Sequence, residues 1–246
     1  MELQGAVCVV TGGGNGIGAA LARRFAAEGA AGVVVVDLDG DAAEAVAAGL
    51  GDRGLAVAGD VAREELHQQV VASAEERFGP VDVYCSNAGT GAGAGLEASL
   101  EAWQTVWEVN TLAHVLAARA VLPSMLERGR GHLVQTASAA GLLTNLGDAA
   151  YTATKHAVSG LTKSTSLDGR PYGIACGQID VGNAATDMTE AMAQGVRQAD
   201  GTIRPEPRMA AEDVARAVVY MASLPLEANV ASMTVLATTM PYVGRG

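Results

Sequence analysis

A chain of 246 residues, 49% apolar and carrying 31 glycines, can bury a large core and leaves open one larger α/β domain or two small ones. Its formal charge of −11 argues against nucleic acid or an anionic membrane surface as a partner. No apolar run approaches the roughly 20 residues of a membrane span, and the opening Met-Glu-Leu-Gln-Gly lacks the features of a signal peptide, so a cytoplasmic protein is expected.

In chain order, residues 6–10 read as a strand, followed by a glycine cluster and an alanine-rich helix over 17–28. Four consecutive valines at 33–36 predict a strand buried on both faces. A helix over 41–50, a strand over 55–58 and a helix over 63–78, stopped by Gly79-Pro80, come next. The pattern continues with strand 81–85, a long helix 100–128, strand 132–136, helix 151–167, strand 174–179, helix 211–223 and strand 230–236. This alternation predicts a single Rossmann-type α/β domain, a doubly wound parallel sheet of about seven strands with helices on both faces. The stretch 183–208 breaks the rhythm with methionines, glycines and prolines and no clear sheet element. It follows a strand end, where open α/β sheets place ligands, and is expected to be a substrate lid.

Three local patterns carry chemistry. Thr11-Gly12-Gly13-Gly14-Asn15-Gly16-Ile17-Gly18 lies between the first strand and the first helix, where glycines allow a tight turn and close approach of a pyrophosphate to the helix N-terminus. Asp37 ends the valine strand 19 residues after Gly18, placed to accept hydrogen bonds from an adenosine ribose and to repel a 2′-phosphate. No arginine accompanies it, so NAD is expected as cofactor rather than NADP. Tyr151 and Lys155 share one helix face at i, i+4, and Lys155 is one of two lysines in the chain. A neighbouring ammonium is expected to pull the phenol down from its usual pKa of about 10.

Together these motifs resemble the short-chain dehydrogenase/reductase family in its single-domain branch, whose cofactor loop reads Thr-Gly-x-x-x-Gly-x-Gly. Further matches follow in the family's order: Asp60-Val61, Asn87-Ala88-Gly89, Asn110 in the long helix, and Ser138 13 residues before Tyr151. The resemblance implies a catalytic set of Asn110, Ser138, Tyr151 and Lys155. Tyr151 would exchange the hydroxyl proton, Ser138 hold the substrate oxygen, Lys155 bind the nicotinamide ribose and Asn110 hold a water. It also implies cofactor contacts from Gly12, Gly14, Asn15, Gly16, Ile17, Gly18, Asp37, Leu38, Asp60, Val61, Asn87, Ala88, Gly89, Gly182, Ala184 and Thr186, beside Tyr151 and Lys155.

The family's Pro-Gly after the sixth strand is replaced here by Val181-Gly182, with Asp180 before it, a departure that falls on the floor beneath the substrate. Substrate contacts are expected from Ser138, Ala140, Leu142, Leu143, Asn145, Val181, Asn183, Met188 and Met192, a mostly apolar set that suits a hydrophobic, cyclic or aryl-bearing alcohol or ketone. The C-terminal run 240–246 is expected to help close the pocket across a subunit boundary, with Tyr242 or Arg245 at its rim. Cys8, Cys85 and Cys176 read as buried thiols. His67, His114, His132 and His156 show no metal spacing, so no metal is expected. The resemblance implies a homotetramer or homodimer. The rival reading is a nucleotide-sensing binding protein that kept the fold and lost the chemistry.

Overall fold

Val33, Val34, Val35 and Val36 are each at most 1% exposed, as a strand covered on both faces requires. They form β2 (Gly32–Asp37), next to β1 (Val7–Thr11) and β3 (Gly54–Ala58). The computed structural model describes residues 2–91, 93–143, 147–198 and 200–242. β4 (Val83–Ser86), β5 (Gly131–Ser138), β6 (Ile174–Val181) and β9 (Ser232–Val235) complete a parallel seven-stranded sheet in the order β3-β2-β1-β4-β5-β6-β9. The order reverses direction between β1 and β4, which opens a crevice at their C-terminal ends.

Two apolar layers cover the sheet. On one face α1 (Gly16–Ala27), α2 (Gly40–Ala48) and α8 (Ala211–Ser223) join the odd residues of β6 and the valines Val33 and Val35. α8 buries Ala211, Val214, Ala215, Val218, Val219 and Ala222, an i, i+3, i+4, i+7 stripe. On the other face α3 (Glu64–Arg77) and α5 (Ala113–Arg128) pack with Tyr84, Leu133, Ile174 and Cys176. α6 (Ala149–Gly169) packs across β5 and β6.

The long helix expected over 100–128 is α4 (Leu100–Trp107), a π-turn at 108–112, and then α5. By length and composition alone this run would suit a membrane span, but half of its most apolar window is buried inside the protein. β5 and β6 extend two residues past expectation, because their pairing continues to Ser138 opposite Val181. The 183–208 segment differs more. It holds a 3₁₀ turn at 187–189, α7 (Glu190–Gln194) and an antiparallel pair, β7 (Val196–Arg197) with β8 (Ile203–Arg204).

Candidate active site

At the crevice, the turn after β1 is tied to the turn after β4. The backbone N–H groups of Asn87 and Ala88 donate to Thr11 Oγ1 at 2.9 and 3.1 Å, and Asn87 Nδ2 donates to the Thr11 carbonyl at 3.0 Å. Gly12 and Gly16 adopt φ of +63° and +50°, the left-handed region that glycine tolerates. A Cβ on Gly18 would lie 1.9 Å from the Gly12 carbonyl oxygen, so the loop closes on itself only with glycine there. Asn15 caps α1, its Oδ1 accepting from Gly16 N at 2.8 Å, while Ile17 packs against the core. Asp37 accepts from Gly14 N at 2.9 Å and from Asp39 N at 3.1 Å, which fixes its carboxylate beside the loop. Leu38 stands 76% exposed next to it. Asp60 accepts from Ala62 N, and the Val61 carbonyl accepts from buried His67, whose other nitrogen bonds Tyr84.

One strand pair further along, Ser138 ends β5, and its hydroxyl contacts the Val181 carbonyl at 3.4 Å and Ala140 N at 3.2 Å. Tyr151 lies half-buried in the first turn of α6, hydrogen-bonded to Ser138. Lys155 is 2% exposed, with Nζ 2.9 Å from the Thr136 carbonyl and 5.7 Å from the Tyr151 ring centroid. Asn110 sits in the π-turn and is fully buried. A Cβ on Gly89 would meet Asn110 Oδ1 at 3.3 Å and Lys155 Nζ at 3.5 Å, so the Asn-Ala-Gly turn, the π-turn and α6 converge.

The expected effect of Lys155 on the phenol is not what dominates. Burial pushes the Tyr151 phenol above its usual range, the Ser138 hydrogen bond pulls it back and Asp148 adds to the rise. The lysine directs its ammonium to the β5 carbonyl, and burial lowers its own pKa to about 8 against the opposing pull of Asp180.

Past β6, the chain folds back over the glycine loop. A Cβ on Gly16 would touch Thr186 at 2.9 Å, and Asn15 Nδ2 donates to Asp187 Oδ2 at 2.5 Å. Ala184 is 2% exposed and bridges to Met209. Met240 lies over Gly182, with its sulfur 3.4 Å from Asn183 N, so this residue covers the turn after β6. A cavity of about 240 Å³ is lined by Ala185, Thr186, Asp187, Glu190 and Arg208.

The expected substrate set divides. Leu142, Leu143 and Met188 are exposed by 42, 47 and 59%, and Met192 is half-buried. Ala140 is buried beside Ser138. Val181 turns its side chain into the α1/α8 layer, because strand alternation carries odd residues of β6 to that face. The buried Asn183 amide donates to Glu206 Oε2 at 2.7 Å. Asn145 and Arg245 lie outside the described residues. Sequence reasoning missed Thr90, Arg208 and Glu206. These are loop residues without periodicity, and only three-dimensional proximity brings them to the site.

The model of the short chain dehydrogenase family matches residues 6–197. The chain is 41% identical over 222 residues, 87% of its own length and 78% of the other, to a 1-deoxy-11-beta-hydroxypentalenate dehydrogenase of Streptomyces exfoliatus. It is 37% identical over 223 residues to a 3-alpha-(or 20-beta)-hydroxysteroid dehydrogenase of Mycobacterium tuberculosis, covering 90% of this chain and 84% of that one. Among solved structures, a 3-ketoacyl-(acyl-carrier-protein) reductase of Brucella melitensis complexed with NADH superposes with a TM-score of 0.86 at 28% identity, covering 96% of this chain and 98% of the other.

Proposed function

This chain belongs to the short-chain dehydrogenase family, and within it we propose an NAD-dependent oxidoreductase that interconverts a secondary alcohol and a ketone on a hydrophobic, cyclic small molecule. The observation that carries this reading is the convergence of Ser138, Tyr151, Lys155 and Asn110 at the strand ends beside the glycine loop. The loop fits a dinucleotide, since Gly12, Gly16 and Gly18 leave no room for side chains and α1 presents the positive end of its dipole. Gly12, Gly14, Asn15, Gly16, Ile17 and Gly18 would hold the diphosphate. Asp37 and Leu38 would flank the adenosine ribose, Asp60 and Val61 would contact the adenine, and Asn87, Ala88 and Gly89 would support the sheet beside the cofactor. Gly182, Ala184 and Thr186 would hold the carboxamide end. The nicotinamide supplies the hydride acceptor or donor.

Tyr151 transfers the hydroxyl proton, and Ser138 orients the substrate oxygen while holding the phenol. Lys155 clamps the ribose. Asp37 supports NAD over NADP, because its carboxylate is already fixed by two backbone donors and would oppose a phosphate. The hydroxysteroid and hydroxypentalenate dehydrogenase relatives support a cyclic skeleton. Leu142, Leu143, Met188 and Met192 offer the apolar rim, with 183–208 as the lid. An apolar stripe of Leu100, Trp103 and Trp107, with Leu100 exposed by 87% and Trp107 by 46%, supports a homotetramer or homodimer.

The deciding experiment assays cyclic secondary alcohols with NAD and with NADP, for wild type and Tyr151→Phe. The expected result is turnover favouring NAD, with Tyr151→Phe lowering kcat by about 10²–10⁴-fold at unchanged NAD affinity. Tight NAD binding without turnover of any alcohol or ketone would favour the nucleotide sensor instead.

A further inference from the structure

Asp180 is an acid where a buried parallel strand ordinarily carries an apolar residue. It is 0% exposed in the middle of the β5–β6–β9 pairing, opposite Ala137 and Thr234. Its Oδ1 accepts from Gln178 Nε2 at 2.6 Å, while Oδ2 is buried without a hydrogen-bond partner. A buried carboxylate oxygen left in this way costs free energy unless a charge nearby offsets it.

The strand and helix geometry supplies that charge. Gln178 Nε2 also donates to Ser159 Oγ of α6 at 2.9 Å, so Ser159 lies over Gln178. In a parallel βαβ unit the helix runs against its strands. Moving one turn back along α6, from Ser159 to Lys155, covers about 6 Å. Moving two residues forward along β6, from Gln178 to Asp180, covers about 6.6 Å in the same direction. Lys155 therefore lies over Asp180 as Ser159 lies over Gln178. One Nζ donor of the lysine goes to the Thr136 carbonyl, beside Ala137 in β5, and no Lys155–Asp180 contact ion pair forms among the described residues, so the two charges act at a distance.

We propose that Asp180 is the buried counter-charge of Lys155, a positioning residue that keeps the lysine cationic inside the sheet–helix interface. Burial pulls Lys155 down and Asp180 opposes it; burial pushes Asp180 up, and the Gln178 bond and the Lys155 charge draw it back. The remaining ionisable groups on this face do not substitute: Asp148, at the N-cap of α6, acts on Tyr151, whereas Asp180 is the charge that acts on Lys155. Tyr151 is raised by burial, His114 on α5 is held neutral with a pKa of about 3, and the Cys176 thiol is pushed up to about 12. β5 and β9 place Ala137 and Thr234 beside Asp180. α8 carries Glu212, Asp213 and Arg216 on the opposite face, with Arg216 paired to Asp213.

The kinetic consequence rests on the dehydrogenase reading, but the direct test does not. Lys155 and Lys163 are the two lysines of the chain, and Lys163 is exposed. Protein labelled with ¹³C at the lysine ε carbons therefore gives two NMR titrations, with Lys163 as internal reference. In Asp180→Asn the Lys155 midpoint should fall by about one pH unit while Lys163 stays fixed. Asp180→Glu should restore most of the shift, and Asp180→Ser offers a second neutral variant should the asparagine fail to fold. A Lys155 midpoint that stays or rises in the neutral variants overturns the proposal. The alkaline limb of kcat/KM should move down by the same shift as the midpoint. Absence of turnover in wild type would sink the dehydrogenase reading while leaving the titration result intact.

Discussion

Asn110 and Thr90 form a reciprocal pair: Asn110 Oδ1 accepts the Thr90 backbone N–H at 2.8 Å, and its Nδ2 donates to the Thr90 carbonyl at 2.7 Å. Nδ2 also reaches Thr154 Oγ1 at 3.2 Å, so the amide fastens the turn after β4 to the π-turn and to α6. Both Nδ2 hydrogens are used in this way, so the side chain has only the second lone pair of Oδ1 left to offer a water. Asn110→Asp replaces a donor with an acceptor opposite the Thr90 carbonyl. The expected result is a loss of about 1–3 kcal/mol in stability by denaturant titration, together with a fall in kcat. Unchanged stability and rate would show that the pair does not hold the site.

Ser138→Ala separates orientation from acidity. The Ser138 bond lowers the Tyr151 phenol against a larger rise from burial, so its removal lets the pKa climb. Alcohol oxidation needs the tyrosine as base. The rising limb of kcat against pH should therefore shift to higher pH, with the plateau down by about 10²-fold. A limb that stays in place would assign the rising step to another group.

Asp37→Ala should relax cofactor choice. The carboxylate that receives Gly14 N and Asp39 N is lost, and with it the repulsion of a 2′-phosphate. The ratio of catalytic efficiencies for NAD over NADP should fall by about tenfold or more, equivalent to one charge-assisted hydrogen bond of about 1.5–3 kcal/mol. An unchanged ratio would place discrimination elsewhere.

The fold was legible where periodicity is strong. The valine run of β2 and the stripe of α8 each state their partner faces, and the glycines after β1 state a turn that only they can make. The β7–β8 pair was not legible, because two-residue strands carry no period. Val181 was misplaced by parity: once β6 runs to 181, alternation turns its side chain into the α1/α8 layer. Spacing brought Tyr151 and Lys155 to one helix face, but it could not reveal the Thr136 carbonyl that draws the ammonium aside. That carbonyl comes from β5, and only the packing of α6 on the sheet places it there.

Acid sensitivity of the fold should come from buried histidines. His114 and His132 are 1% exposed, and burial lowers them to about 3 and about 4. His114 Nδ1 donates to Gln135 Oε1, a carbonyl-type oxygen that only accepts, and burial keeps the ring neutral. His67 is lowered by burial as well. Unfolded histidines titrate near pH 6.5, so below that value the unfolded chain binds more protons than the folded one. The stabilising effect of keeping the rings neutral is complete above about pH 6.5 and is lost as pH falls toward the folded values. Each ring contributes a slope approaching about 1.4 kcal/mol per pH unit. Asp148 and Asp180, raised by burial, act in the opposite sense. Urea titrations of wild type and variant between about pH 7 and 5.5, where unfolded histidines begin to titrate, isolate one ring, since the carboxylates are common to both proteins. His114→Gln should flatten the slope in that window, and a slope unchanged by the substitution would exclude His114 as a source of the acid sensitivity.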